Sequence, residues 1–255
     1  PHYGDEYKVM GLAPYGKPKF MEEMRKIVLL KDDGSFRLNL KYFRHHKERV
    51  PYQWENGIPT VGCMFSDRLS ELFGPPRGPG EQLTQYHKDI AHSVQKMYEE
   101  AFFHLINRLH DRYKNDSLCI AGGCGNNSVA NGKIKRNSRY KNVYIQSAAG
   151  DAGGAIGAAF VVYHRQNTKT EKKFCMDHAY FGHSFEDDYV ASTIKEYDEK
   201  LSQQGCVVEK IVQEKLLLQR TAEAISEGKV IGWFQGRMEW GPRALGNRSI
   251  LGDPR

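Results

Sequence analysis

This sequence lacks a strong excess of either basic or acidic residues. Its 37 Lys and Arg stand against 31 Asp and Glu, a formal net charge of +6 over 255 residues. The basic residues are scattered, which fits a solvated surface better than a nucleic-acid face. Long apolar runs are absent, so no segment reads as a membrane span. The opening PHYGDEYKVMG lacks the pattern of a signal peptide. Cysteine is sparse and odd in number, five residues with no Cys-x-x-Cys pair. That excludes a disulfide framework and a cysteine zinc site, and points to a reducing, cytoplasmic setting. The ten histidines form neither a His-x-x-x-His nor a His-Glu-x-x-His pair. Solenoid repeats and low-complexity segments are missing too. What remains is a 40% hydrophobic chain, enough for one large domain or two smaller ones.

The most informative stretch runs from Leu118 to Phe160. Two short apolar runs, Leu118 to Ala121 and Val143 to Ile145, read as neighbouring strands. Each leads into a glycine turn, one with Gly122 and Gly123 and the other with Gly150. Each turn opens a helix, over Asn127 to Lys135 and over Asp151 to His164. Strand, glycine turn and helix start make a recipe for holding an anion, because free N–H groups face the ligand and glycine admits it closely. Two such turns together suggest a nucleotide or phosphate ester. The second helix is so rich in Gly and Ala that burial against a neighbour or ligand is expected.

Elsewhere, Gly11, Pro14, Gly16 and Pro18 punctuate the first twenty residues as loop. A helix is expected from Pro18 to Leu30, a strand from Ser35 to Leu40, irregular chain over 41–63, and a short helix capped at Ser66. A long helix follows from Thr84 to Tyr113, with Ile90, Val94, Met97, Ala101, Leu105 and Leu109 as its apolar stripe. Its histidines read as ordinary helix histidines. Residues 166–179 are polar and read as a linker. Helices are expected over Asp187–Gln204 and Ile211–Glu227, then a strand over Lys229–Phe234, and the rest as an arginine- and glycine-rich loop.

Three groups of residues carry candidate chemistry. Gly122, Gly123, Asn127, Asn131, Gly150 and Gly153 are nucleotide-side candidates, since an Asn amide both donates and accepts. The alternative is a plain strand-turn-helix with an Asn cap. Asp151 is either the cap of its helix or a metal-facing carboxylate. Arg237, Arg243, Arg248 and Ser249 lie among Gly236, Gly241 and Gly246. Arginine forks match phosphoryl oxygens bidentately. The alternative is a basic surface loop paired with Glu239 and Asp253, with Glu239 orienting an arginine.

Four motifs carry a family resemblance: EYKVMGLAPYGKP (6–18), AGGCGNNSVANGKI (121–134), AAGDAGGAIGAA (148–159) and GWFQGRMEWGPRALGNRSILGDPR (232–255). Together they make the chain resemble the O-carbamoyltransferase family of nodulation and antibiotic-biosynthesis enzymes. The resemblance implies an α/β fold: the second half of an actin/hexokinase-like (ASKHA) domain over 1–176, then the start of a YrdC-like domain over 177–255. It implies ATP as cosubstrate, with carbamoyl phosphate bound by Arg237, Arg243, Arg248 and Ser249. Carbamoyl adenylate would form, and the carbamoyl group would pass to a hydroxyl of a sugar or other small metabolite. Asp151 would ligate a divalent metal, iron by resemblance, with two histidines from outside this sequence. The partners so implied are small molecules, with no nucleic acid or membrane, and a homodimer. The family's hydrophobic pair before the turn's Asn is replaced here by Gly125 and Asn126. The chain opens on Pro1 without an initiator methionine, so an internal piece, inactive by itself, is expected. Two readings stay open beside this one: a non-catalytic nucleotide-binding piece of an actin-like fold, and a hydrogenase-maturation or tRNA-threonylcarbamoylation relative.

Overall fold

The computed structural model describes residues 4–55, 57–167 and 176–253. They form a mixed α/β structure whose sheets are all two-stranded among the described residues. The chain divides into two compact units, Pro1–Ile120 with Cys124–Tyr144, and Ala121–Gly123 with Ile145–Arg255. Residues 168–175 of the expected linker lie outside the described residues. No helix among the described residues is long and apolar enough to cross a membrane.

The first unit opens with α1 (Glu6–Leu12), a 3-10 turn (Ala13–Tyr15), α2 (Met21–Ile27), β1 (Val28–Leu30) and β2 (Phe36–Leu38). Then come β3 (Tyr52–Glu55), β4 (Ile58–Val61), α3 (Asp67–Phe73), α4 (Gln85–Tyr113) and β5 (Ser117–Ile120), and finally α5 (Ser128–Asn131), α6 (Ile134–Asn137) and β6 (Asn142–Ile145). β1 pairs antiparallel with β2 and β3 with β4, while β5 neighbours β6 as the sequence leads one to expect.

The long α4 organises this unit. Its first turn is fastened by the Thr84 N–H, which donates to His87 Nδ1 at 3.1 Å. It ends at Lys114, whose backbone is left-handed at φ 51°. Its buried face is Asp89, Ala91, Ser93, Gln95, Met97, Glu99, Ile106 and His110. The expected apolar stripe is therefore corrected: Met97 is inside, but Val94, Leu105 and Leu109 are exposed. Buried polar groups are costly unless hydrogen-bonded, and for Asp89 and Ser93 the partners come mainly from the segment before α2. Asp89 Oδ1 accepts from the Lys17 N–H and Gln85 Nε2, both at 2.9 Å, and Lys19 Nζ meets Oδ2 at 2.8 Å. The bonds from Lys19 and Gln85 hold the Asp89 carboxyl down at about 2. Ser93 Oγ donates to Asp89 O and accepts from the Phe20 N–H. His92 Nδ1 lies 2.9 Å from Ala13 O, and His104 Nε2 lies 2.8 Å from Lys31 O.

Other boundaries move for local reasons. The first residues are not all loop, because α1 runs through Gly11 and keeps Pro14 at the start of the following 3-10 turn, where its missing N–H costs nothing. The helix expected from Pro18 is shorter, its last residues being drawn into β1 by pairing with β2. Residues 41–63 hold the β3–β4 hairpin, with Gly57 at φ 79° in its turn.

The second unit contains α7 (Gly153–Gln166), α8 (Asp187–Glu196), α9 (Asp198–Gln203), α10 (Glu214–Ser226), β7 (Ile231–Phe234) and β8 (Arg248–Leu251). The helix expected over 187–204 is broken at Tyr197. Gly228, at φ 79°, closes the turn after α10. The tail is not all loop, because β8 pairs antiparallel with β7 from Ile231↔Leu251 to Phe234↔Arg248. The burial expected of α7 is corrected as well. None of its residues is fully buried; Gly153, Ile156, Phe160 and His164 form a half-buried stripe, while Val161, Val162 and Tyr163 are about half exposed.

Gly16 marks where the N-terminal segment presses on α4. A Cβ there would lie 1.9 Å from Lys88 O. Gly16→Ala is therefore expected to lower the unfolding free energy by roughly 1–3 kcal/mol, the cost of overpacking. Urea titration checks it; an unchanged midpoint would mean that the helix carbonyl yields without cost.

Candidate functional site

The four arginine-loop candidates lie in the second unit, Arg237 and Arg243 on the connection from β7 to β8 and Arg248 and Ser249 at the start of β8. Gly236, Gly241 and Gly246 give this loop its positive-φ corners. The Gln235 N–H donates to Asn247 O at 3.0 Å, and Asn247 Nδ2 donates to Arg237 O at 2.7 Å. Inside the loop sits Glu239, its side chain fully buried. Its Oε1 accepts from the backbone N–H groups of Leu245 (2.7 Å), Asn247 (2.8 Å) and Arg248 (3.2 Å). Its Oε2 accepts from Arg248 Nε at 2.9 Å, while Arg248 Nη2 donates to Gly241 O at 3.1 Å. Burial pushes the Glu239 carboxyl up, but the Arg248 bond and the converging amides outweigh it and hold the group at about 2.

The other arginines are also engaged with the chain. Arg237 donates through Nε to Gly182 O at 3.1 Å and through Nη2 to Phe181 O at 3.4 Å. The segment carrying those carbonyls runs beside the loop: the Gly182 N–H donates to Met238 O, the Met238 N–H to His183 O, and the Trp240 N–H to Ala179 O. Ser249 faces Trp233 across the hairpin. An aromatic strip follows this segment. His178 stacks on Phe181 at 4.5 Å, Phe185 stacks on Tyr189 at 5.1 Å, and the Tyr180 hydroxyl donates to Leu245 O at 2.9 Å.

Both glycine turns contribute to the same unit. The Gly122 N–H donates to Ala149 O at 2.7 Å. A Cβ at Gly122 or Gly123 would meet nothing within 4 Å, so these backbones are open to close approach. Gly153 is the opposite case, because a Cβ would lie 2.2 Å from Ala148 O, and the Gly153 N–H reaches Gly150 O at 3.1 Å. Asp151 is exposed and does not cap α7, whose N-cap is Ala152 without a side-chain bond. Among the described residues no group of three His, Cys, Asp or Glu could hold a metal ion. Asp151 is thus a lone donor, and these residues do not make a metal site by themselves. The arginine loop seats on the second turn: a Cβ on Gly241, at φ 111°, would lie 2.5 Å from Ser147 O and 3.1 Å from Ala148 N. Beside this contact, Ser147 Oγ and Trp240 Nε1 are buried without a hydrogen-bond partner among the described residues.

Asn127 and Asn131 belong to the first unit. Asn127 caps α5, its Oδ1 accepting from the Ala130 N–H at 3.0 Å. Its amide also exchanges two bonds with Gln95 of α4, at 2.9 and 3.1 Å. Gln95 Nε2 goes on to Glu99 Oε1 at 3.1 Å, and Lys133 Nζ closes on Glu99 at 2.6 and 2.7 Å. Lys133 is half-buried against a buried carboxylate. Asn131 Nδ2 donates to Gly125 O at 2.7 Å, leaving its buried Oδ1 without a partner among the described residues. Gly125 itself is buried, so the turn is packed where its glycine suggests slack. A cleft of about 400 Å³ in this unit, lined by Asn107, Asp111, Arg136, Asn137, Ser138 and Arg139, contains none of the candidates.

Sequence reading passed over Gln95, Glu99 and the aromatic strip. The signal for the first two was available in the i, i+4 spacing of two polar pairs on α4, Asp89 with Ser93 and Gln95 with Glu99.

Comparison with known proteins accounts for this constellation of motifs. The family model for the carbamoyltransferase N-terminus matches residues 2–160, and that for the carbamoyltransferase C-terminus matches residues 222–255. An uncharacterized protein of Synechocystis is 41% identical over 98% of this chain and 38% of its own length. The nodulation protein NolNO of Sinorhizobium fredii is 35% identical over 98% of this chain and 32% of its own length. The 3'-hydroxymethylcephem-O-carbamoyltransferase of Streptomyces clavuligerus is 30% identical over 53% of this chain and 23% of its own length. The chain belongs to the carbamoyltransferase family, and it spans less than half the length of these relatives.

Two outcomes are expected from this geometry. Asn127→Ala removes a helix cap and strands Gln95, so stability should fall by roughly 1–3 kcal/mol with or without nucleotide. Denaturant titration in both conditions checks it; a loss seen only with nucleotide would give the amide to the ligand. Glu239 has its folded pKa below its unfolded value near 4.5. Its contribution is therefore complete above that pH and is lost as pH falls toward 2. Exchange of the Leu245 and Asn247 amides should accelerate, relative to their intrinsic rates, between pH 5 and 3; no relative change would contradict the assignment.

Proposed function

We propose, starting from membership of the carbamoyltransferase family, that this chain carries part of the machinery of an ATP-dependent O-carbamoyltransferase. The observation that carries the reading is that both family segments fall on one chain. A relative named as an O-carbamoyltransferase supports the choice of oxygen as acceptor. The reaction is written in three steps. Water cleaves carbamoyl phosphate to carbamate and phosphate. A carbamate oxygen attacks the α-phosphorus of ATP, releasing pyrophosphate and forming carbamoyl adenylate. An acceptor hydroxyl, on a sugar or other small metabolite, then attacks the carbamoyl carbon, its proton is taken up, and AMP leaves.

The residues divide by chemistry. Arg237, Arg243, Arg248 and Ser249 serve carbamoyl phosphate, whose dianion calls for cations on a fixed backbone. Arg248 spends Nε and Nη2 within the loop, leaving Nη1 as the nitrogen with which it could meet a phosphoryl oxygen. Gly122, Gly123, Gly150 and Gly153 offer open or tightly turned backbone to ATP; Asn127 and Asn131 are instead engaged inside the first unit, Asn127 with Ala130 and Gln95 and Asn131 with Gly125 O. Asp151 is the one donor these residues offer to a divalent metal, which would need other donors from elsewhere. An ASKHA-type first domain, a YrdC-like second domain and a homodimer belong to the same proposal. So does a cytoplasmic setting, in keeping with the four described cysteines, all free thiols and all exposed.

In the full-length protein, carbamoyl phosphate should drive exchange of labelled pyrophosphate into ATP. Absence of exchange would remove the adenylate. Arg243→Lys keeps the charge but loses the fork, and should weaken carbamoyl phosphate binding by roughly 1 kcal/mol or more. Calorimetric titration checks this; equal affinities would make Arg243 a structural residue.

A further inference from the structure

We infer that Glu239 is the positioning residue of the arginine loop. Its carboxylate acts through Arg248 and the backbone it gathers, so that the loop presents one fixed surface to an anion. The inference rests on the carbamoyl phosphate reading above.

The geometry is that of a carboxylate used as a mould. One oxygen collects the N–H groups of Leu245, Asn247 and Arg248, and the other takes Arg248 Nε. All four donors lie C-terminal to Glu239, so the loop closes on its own acidic residue. Arg248 then reaches back to Gly241 O, bracing the far side of the same turn. Gly241 in turn rests on the Ser147–Ala148 peptide, which leads into the second glycine turn at Gly150. Glu239 thus fixes one end of a short chain of contacts whose other end is the second glycine turn. Arg243 lies between Gly241 and Leu245, both held by these bonds, so its backbone has little freedom.

An acidic residue beside a phosphate site would ordinarily repel the ligand. Glu239 escapes that objection because its side chain is sealed from solvent and its charge is spent on one guanidinium and three amides. The carboxylate does not touch substrate, so it is not a catalytic residue. Loss of its charge should loosen the loop without emptying the nucleotide side.

The test uses the full-length protein and two ligands, carbamoyl phosphate and a non-hydrolysable ATP analogue. Glu239→Gln retains one oxygen for the amides but turns an NH₂ toward Arg248. It should weaken carbamoyl phosphate by about tenfold or more, the scale of a charge-assisted bond, with nucleotide affinity unchanged. Glu239→Asp, which keeps the charge but withdraws it by one methylene, should fall between. In wild-type protein, the Leu245 and Asn247 amides should exchange more slowly than that of Gly246 between them. This last measurement needs no variant to fold. Equal loss of both ligands would reduce Glu239 to a general structural residue and overturn the inference. So would unchanged carbamoyl phosphate affinity in a folded variant, or fast exchange of those amides. Failure of wild-type protein to bind carbamoyl phosphate would instead strike the proposed function, whatever the amides do.

Discussion

The first unit depends on burying four polar groups along α4 and giving each of them partners. Asp89, Ser93, Gln95 and Glu99 project into the interior where a simple amphipathic helix would place leucine. Leaving any of them unpaired would cost on the order of 1–3 kcal/mol. The chain therefore has to bring donors to them, and two separate segments do so. Residues 17–20 serve Asp89 and Ser93, and residues 127–133 serve Gln95 and Glu99. This is a more demanding glue than apolar contact, because a hydrogen bond fixes distance and angle while apolar contact fixes neither. It places two motif segments at set positions along one rigid rod.

This also explains what could and could not be seen in the sequence. The extent of α4 was legible because its cap at Thr84 and its length are local properties. Its buried face was not, since Val94, Leu105 and Leu109 look like core and Asp89 and Glu99 look like surface until their partners are known. The β5 and β6 strands were legible from Leu118 and Val143, each leading into a glycine turn. The β3–β4 hairpin also had a signal, the alternation of Tyr52, Gln53, Trp54 and Glu55 followed by Asn56-Gly57, which the expectation of irregular chain over 41–63 missed. α7 was read as buried on composition alone. Small side chains permit close packing but do not compel it. Among the candidate residues, the arginine cluster was visible as a motif and Glu239 as the residue orienting an arginine, but the backbone carbonyls that hold Arg237, and the burial of Glu239, are revealed by no spacing rule.

Within the arginine loop, charge has two distinct uses. Some cationic nitrogens secure the fold by donating to Phe181, Gly182, Gly241 and Glu239. Recognition of an anion has to use those left over. A guanidinium can serve both uses at once because its donors are rigidly spread in a plane. A lysine could not, having a single ammonium on a flexible stem. The aromatic strip from His178 to Tyr189 supports the loop from the side, through Tyr180 and the backbone pairing with Met238 and Trp240.

The interleaving of the two compact units has a topological consequence. The second unit takes Ala121–Gly123 from within the sequence span of the first, and Gly122 is tied there by its bond to Ala149. Neither unit is one continuous stretch of polypeptide. Scission of the backbone between Tyr144 and Ile145 cannot release either as an intact piece, and a clone starting at Ile145 would lack one strand-to-turn crossing. The segment Ala121–Gly123 is bonded covalently at both ends to residues of the first unit, so the two share a chain that enters and leaves the second unit before returning for good.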